Sequence, residues 1–380
     1  MSGKLALILS ETRSHSPAQF ELAEAPSDAI SAVQFAPGNS TRLVVSSWDK
    51  NVYLYDTHAQ PGGKLLQKFE HRAPVLDICF GANENEAFSG GLDLDVRRID
   101  LESGEQIVLS SHEAGVKAVV YSKETGTLIS ASWDSTLHIH HMTSPTKTPS
   151  TVPLPSKPFS LSLTPTKLVV AMASRQLHIY DLATLTTLSS QSSLPPPNTL
   201  EAEPWQRRES SLKFMTRAVA CMPDDAGYAS SSIEGRVAVE WFDPSPASQA
   251  RKYAFKCHRQ PQAVQQRPGQ TSSDSPAETI DVVYPVNALA FHPVHGTFAS
   301  GGGDGVVALW DGTAKRRIRQ YQRYAASIAA LAFSADGKYL AVASSPGFED
   351  GMEDLDAQSG AVRVFVRELN EGEAKGKGAK

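Results

Sequence analysis

Cysteine is scarce in this sequence. Among 380 residues there are three, Cys79, Cys221 and Cys257, an odd set with no Cys-x-x-Cys pair. That argues against a disulfide framework and a cysteine-held zinc, and it fits a reducing compartment. Long apolar runs are also missing. Residues 5–9 are apolar but too few for a secretory core, and no stretch approaches a membrane span. Positive charge is not in excess, with 36 Lys and Arg against 41 Asp and Glu and a formal net charge of −5. Overall charge therefore gives no reason to expect nucleic acid, and affinity for anions must come from a local patch.

What the sequence does have is a repeat. One unit reads Ile30-Ser-Ala-Val-Gln-Phe35, then Leu43-Val-Val-Ser-Ser-Trp-Asp49, then Val52-Tyr-Leu-Tyr-Asp56. The pattern returns at Val75, Val116, Phe159, Arg217, Val286 and Ile328. Aspartates close the third segment at 56, 100, 181, 243 and 311. The first step, 44 residues, lies within the roughly 40–45 of a WD-type unit. The longer steps contain polar, Pro- and Ser-rich insertions near 189–204 and 260–278, which composition reads as loops. Alternating β-branched and apolar residues bounded by Gly, Asp and Ser turns predict strands throughout.

Seven such units predict an all-β, seven-bladed WD-repeat β-propeller over residues 18–368. The seventh unit lacks an outer strand downstream, and Ala18-Gln-Phe-Glu-Leu-Ala23 is the best donor to close the ring. Residues 1–17 read as a flexible extension, and 369–380, rich in Glu, Gly and Lys, as a disordered tail.

Ser, His and Asp recur together as His71, Ser89, Asp93 and again as His112, Ser130, Asp134. A catalytic triad occurs once, whereas a structural hydrogen-bond network repeats with the blade. The expectation is a binding platform with no catalytic residue, metal or cofactor. Gly301-Gly-Gly-Asp-Gly305 lacks the Lys-Ser/Thr ending of a phosphate loop and reads as a β-turn. The acidic stretch 349–356 does not have EF-hand spacing.

Two features point to a binding face. Trp48 and Trp133 precede the turn aspartate, at the rim of their blades, where an aromatic either packs on a neighbour or anchors a partner. In unit five, Arg217 begins the first strand, Arg236 follows the turn Ser232-Ile-Glu-Gly235, and Lys256, His258 and Arg259 end the fourth strand. Strand alternation brings these distant positions to one face, where arginine forks and a lysine suit carboxylate or phosphate. Arg207-Arg-Glu-Ser-Ser-Leu-Lys213 either adds charge nearby or serves as a strand edge or linker, and Lys315-Arg-Arg-Ile-Arg319 falls on an outer strand, where charge blunts an edge.

Several stretches, among them Ser89-Gly-Gly-Leu-Asp93, Arg207 to Lys213, Ser231-Ser-Ile-Glu-Gly-Arg-Val-Ala-Val-Glu240, Asp243-Pro-Ser-Pro246 and Tyr253 to Arg259, resemble the third Bub protein family of the mitotic spindle assembly checkpoint. The resemblance covers about residues 19–368. A related family, the messenger-RNA-export propeller of the nuclear pore, is similar at Ser231 to Val237, Phe255 to Arg259 and Phe291-His-Pro-Val-His-Gly-Thr297. The first resemblance implies a non-enzymatic adaptor in the nucleus, at kinetochores in mitosis, with a cytoplasmic pool. It implies docking of GLEBS-type segments of Bub/Mad-type checkpoint kinases and of phosphorylated Met-Glu-Leu-Thr motifs of the kinetochore scaffold. Residue by residue, it places Arg236 and Lys256 at the phosphothreonine and Arg217 opposite glutamates of the kinase segment. Trp48 falls beside the peptide track, with Arg259 and Trp133 as further partner-binding candidates. The second resemblance implies a nucleoporin GLEBS segment instead. Two departures stand out: the ending His138-Ile-His-His141, and the long insertion after Arg259.

Overall fold

The computed structural model describes residues 19–59, 62–143, 148–191, 198–263, 279–347 and 361–376. Seven antiparallel sheets form the blades of a propeller, as the repeat predicts. Blade one is Ile30–Ala36, Asn39–Ser47, Asn51–Asp56 and Lys64–Glu70, ordered from the central channel outward. Blade five is Thr216–Cys221, Gly227–Ser232, Arg236–Trp241 and Tyr253–Lys256. Blade seven takes its outer strand from the other end of the chain. Gln19–Glu21 pairs with Arg363–Glu368, with Phe20 opposite Val366. The ring is closed as expected, and Leu22 follows this strand into the interior, 2% exposed.

Apolar burial is divided among seven clusters, each between two neighbouring blades. Opposite faces of one strand serve opposite neighbours, because side chains alternate across a strand. In blade one, Val44, Val52 and Leu54 face blade two, while Leu43, Val45, Tyr53 and Tyr55 face blade seven. The second strands are consequently buried on both sides, as Thr127–Ser132 and Gly227–Ser232 are along their whole length. All three cysteines are buried free thiols within these layers.

Three expectations need correction. The insertion near 189–204 is not wholly a loop. Leu182–Gln191 is a helix, with Asp181 Oδ1 accepting from the Thr184 amide and hydroxyl at 2.9 Å as an N-cap, and Leu185 buried. Asn198–Thr199 then adds a fifth, parallel strand to Ser150–Pro153 of blade three. The insertion after Arg259 begins and ends in a hairpin, Arg259–Ala263 with Thr279–Val283; residues 264–278 lie outside the described residues.

The tail from residue 369 is not wholly disordered either. Residues 369–376 dock beside blade six, where Ala374 is 3% exposed and its carbonyl accepts from Thr297 Oγ1 at 2.6 Å. Glu373 is held by Arg319 at 3.0 Å and Arg367 at 3.5 Å. Composition reads such a segment as solvated, because it cannot show that two arginines from separate strands await one of its carboxylates. The 1–17 extension and residues 377–380 lie outside the described residues.

Candidate functional site

The first strand of every blade carries a β-bulge at its upper end. Register slips between Ile30 and Ala32, Val75 and Asp77, Val116 and Ala118, Pro158 and Ser160, Thr216 and Val219, Val286 and Ala288, and Ile328 and Ala330. A bulge leaves a residue unpaired and re-aims its side chain. Six residues at these slips, Ser31, Leu76, Lys117, Arg217, Asn287 and Ala329, line one cavity of about 380 Å³ at the channel mouth. Trp48 and Trp133 line it too. The Trp133 ring also lies over Gly115, where a Cβ would meet its Cε3 at 3.1 Å. Packing and rim position therefore coexist at this residue.

Arg217 is exposed at the mouth and held in place. Its Nε and Nη2 donate to Asn287 Oδ1 at 3.1 and 2.9 Å, and Asn287 Nδ2 donates to Ser327 Oγ at 3.0 Å. Lys117 is the second cation of the cavity. Burial lowers its pKa, opposed by Asp77 and assisted by Arg217. Asp77 itself is pushed up to about 6 by burial, against the pull of Lys117 and of the Val119 and Ile78 amides that donate to it. Sequence reading missed Lys117 and Asn287. The repeat held the signal, since both occupy the position that Arg217 takes in its own blade.

A second group of cations follows one row across the top of blade five. Thr216 pairs with Ser232, Ser232 with Arg236, and Arg236 with Lys256. Four strands side by side span about 14 Å at the usual inter-strand spacing. The row thus runs from the channel mouth beside Arg217 to the outer edge at Lys256. Glu234 Oε2 lies 3.5 Å from Arg236 Nε, and Arg259 Nη2 donates to the Glu234 carbonyl at 3.1 Å. Arg259 is half-buried and braces this turn. Gly235 in the turn has φ +62°, and a Cβ there would lie 2.8 Å from the Cys257 carbonyl, so no other residue fits without displacement.

Beside the row, Phe214, Met215 and Ile233 are 53%, 43% and 39% exposed, and the Ile233 amide donates to the Met215 carbonyl at 3.1 Å. This apolar patch between the two cation groups was also missed. Nothing in its spacing separates it from buried strand residues.

His258 does not join the cations. It is 7% exposed, with Nδ1 2.8 Å from Asp304 Oδ1 and Nε2 2.8 Å from Ser300 Oγ, which also accepts from Trp310 Nε1 at 2.8 Å. In blade three, His112 Nδ1 faces Asp134 at 3.1 Å and Nε2 faces Ser130 at 2.9 Å. Blade two differs: His71 bonds Ser89 and the Phe69 carbonyl, and Asp93 instead pairs with Arg97. All three serines are fully buried, so none can meet a substrate. Arg208 is likewise structural, reaching the Phe242 carbonyl at 3.0 Å and the buried Glu240 at 3.7 Å.

Comparison with known proteins agrees with this architecture. The family model described as "WD domain, G-beta repeat" matches residues 19–56, 104–141 and 282–311. The chain is 44% identical over 361 residues to "Mitotic checkpoint protein BUB3.1" of Arabidopsis thaliana, covering 94% of each chain. It is 40% identical over 339 residues to "Mitotic checkpoint protein bub3" of Dictyostelium discoideum, covering 88% of this chain and 91% of the relative. It is 30% identical over 341 residues to "mRNA export factor GLE2" of Chaetomium thermophilum, covering 88% and 85%.

Proposed function

The chain belongs to the Bub3 family of WD-repeat mitotic checkpoint proteins, and on that premise we propose that it is a non-enzymatic adaptor that docks peptides across its upper rim. Two ligands are assigned to two parts of the rim. The channel mouth, with Arg217, Trp48 and Trp133, takes an acidic GLEBS-type segment of a checkpoint kinase. The blade-five row, with Arg236 and Lys256, takes the phosphothreonine of a Met-Glu-Leu-Thr motif in the kinetochore scaffold. Arg259 positions the turn between them. The apolar patch of Phe214, Met215 and Ile233 suits the aliphatic side chains flanking that threonine. The adaptor would thereby carry its kinase to kinetochores whose scaffold is phosphorylated.

The observation that carries this reading is the pairing of Arg236 with Lys256. Two cations opposed across neighbouring strands repel, and an anion between them removes the repulsion. A phosphate of charge about −1.5 to −2 supplies that anion, where a hydroxyl supplies none. Fluorescence anisotropy with a Met-Glu-Leu-phosphoThr peptide, with and without a kinase GLEBS segment, tests it. The expected result is binding that requires the phosphate. Equal binding of the unphosphorylated peptide would overturn it.

A second reading, an export adaptor for a nucleoporin segment, is supported by the resemblance to the export factor of Chaetomium thermophilum. Co-purification from cells distinguishes the two, since one adaptor retains checkpoint kinases and the other a nucleoporin.

A further inference from the structure

A second basic surface lies away from the mouth cavity and shares no lining residue with it. Blade six's outer strand and the loop after it stand against blade seven, and together they enclose a groove of about 670 Å³. Four arginines line it: Arg319 and Arg323 from one wall, Arg363 and Arg367 from the other. Two carboxylates answer them. Glu373 reaches Arg319 and Arg367, and Glu21 reaches Arg363 at 3.1 Å. Arg323 is exposed and has no carboxylate within ion-pair distance among the described residues.

The docked tail shows what chemistry the groove accepts. The carboxylate of Glu373 sits with its side chain 1% exposed, between Arg319 Nη1 at 3.0 Å and Arg367 Nε at 3.5 Å, and it accepts from the Tyr321 hydroxyl at 2.8 Å. The Arg367 guanidinium lies 4.2 Å from the centre of the Tyr321 ring. This is a built carboxylate site at one end of a groove whose other end carries Arg363, paired with Glu21, and the exposed Arg323. Gln320 and Gln322 also line the groove, and their amides suit a passing peptide backbone. Base stacking is poorly served here, because Tyr321 and Tyr324 are only 6% and 8% exposed with their hydroxyls bound to Glu373 and Gln19, and the partly buried Phe365 packs against Tyr324 at 5.1 Å between ring centres.

We infer that the groove between blades six and seven is a second docking site, for an extended acidic segment of a protein partner that continues outward from the position of Glu373. Its carboxylates would meet Arg323 directly and share Arg363 with Glu21, as Glu373 meets Arg319 and Arg367. A partner could then hold the rim and the flank of the ring with two separate segments, each engagement raising the effective concentration for the other.

The probe is a fluorescein-labelled peptide, Gly-Ser-Glu-Glu-Leu-Glu-Glu-Asp-Gly-Ser, with its Gln/Asn counterpart as control. The protein is the full chain carrying Arg217→Ala, Arg236→Ala, Lys117→Ala and Lys256→Ala, so that the rim cations do not contribute. Arg323→Glu breaks no ion pair among the described residues, and a melting curve checks that it folds; Arg363→Gln is the second variant. Each should weaken acidic-peptide binding, by about fivefold for the charge reversal, as expected for exposed ion pairs of this kind. Glu373→Gln should tighten it by releasing Arg319 and Arg367. Binding unaffected by Arg323→Glu and Arg363→Gln, or equal binding of the Gln/Asn control, would overturn the site. An oligouridylate that bound as tightly, with the same sensitivity to Arg323→Glu, would overturn its assignment to a peptide. None of these outcomes bears on the rim, so failure here leaves the phosphopeptide reading intact.

Discussion

Arg236 and Lys256 stand opposite each other in register across the two outer strands of blade five, with their side chains on the same face of the sheet. Glu234 sits 3.5 Å from Arg236 and offsets part of the charge, but no ion-pair partner faces Lys256 among the described residues. Two like charges therefore stand opposed across neighbouring strands, and in the proposed reading a phosphate bridges them.

Arg236→Ala and Lys256→Ala should each weaken binding of a Met-Glu-Leu-phosphoThr peptide by ~1–3 kcal/mol, the cost of leaving a desolvated hydrogen-bond partner unsatisfied. Binding of the unphosphorylated peptide should not change. Thermal stability should hold or rise slightly, because removing one cation relieves the repulsion. Anisotropy titrations and melting curves on the same samples check both halves. A parallel loss of stability would mean that the residues serve the fold.

Asn287 holds Arg217 by two hydrogen bonds without itself carrying charge. Asn287→Ala should weaken a GLEBS-type acidic segment by about 0.5–1.5 kcal/mol, the net worth of a hydrogen bond, while leaving the phosphopeptide affinity alone. Lys117→Ala should act in the same direction at the mouth. Isothermal titration with the two ligands separates the parts of the rim.

The fold was legible in the sequence because a propeller writes its geometry seven times. The closing strand was legible for the same reason, since the seventh unit lacked a partner that Gln19–Glu21 supplies. The blade-five cations followed from strand alternation. Lys117 and Asn287 did not, because the repeat aligns them with Arg217 but only the bulge at that position shows that it points into the mouth. His258 was misplaced because a histidine beside Lys256 and Arg259 reads as a cation. Its ring is instead committed to Ser300 and Asp304 in the next blade. The docked tail depends on Arg319 and Arg367, two positions that only the folded ring brings together.

The serine of the His258 network should prove structural. With Asp304 at Nδ1, the proton sits on that nitrogen, so Nε2 accepts from the Ser300 hydroxyl while Ser300 accepts from Trp310. Ser300→Ala removes the middle of this relay and leaves two buried ring nitrogens unsatisfied. It should lower stability by about 2–4 kcal/mol, from loss of the bonds and desolvation of the orphaned groups. Urea denaturation measures it. An unchanged midpoint would reopen the question of what the buried serines do.

Deleting residues 1–23 should open the ring. Blade seven would lose its outer strand, exposing the edge of Arg363–Glu368 and removing Leu22 from the layer it shares with blade one. An unpaired edge recruits other chains. The truncated protein should melt lower and elute as oligomers in size-exclusion chromatography. Leu22→Ala alone should cost about 2–5 kcal/mol, as for other buried leucines, without opening the edge.

Acid should destabilise the propeller through blade three. Burial, together with neighbouring histidines, lowers His138 to about 4 and His140 to about 3. His112 stacks on His138 at 3.6 Å between ring centres, Asp134 is the nearby carboxylate, and Ser110 bonds both His138 and His140. A group with a lowered folded pKa favours the unfolded state as protons are added. The stability it contributes is whole above the unfolded value of about 6.5 and is lost as pH falls toward the folded value. Asp77 has the opposite sign. Raised to about 6, it contributes stability that is present below the ordinary carboxylate range and lost as pH rises through 6. Two histidines shifted by more outweigh one aspartate, so the melting temperature should fall between pH 7 and pH 5. His140→Gln, which keeps a partner for Ser110 but cannot take the proton, should flatten that fall. Asp77→Asn, which removes the offsetting group, should steepen it. Melting curves at half-unit pH intervals distinguish the two, and a His140→Gln profile parallel to the parent's would assign the acid sensitivity elsewhere.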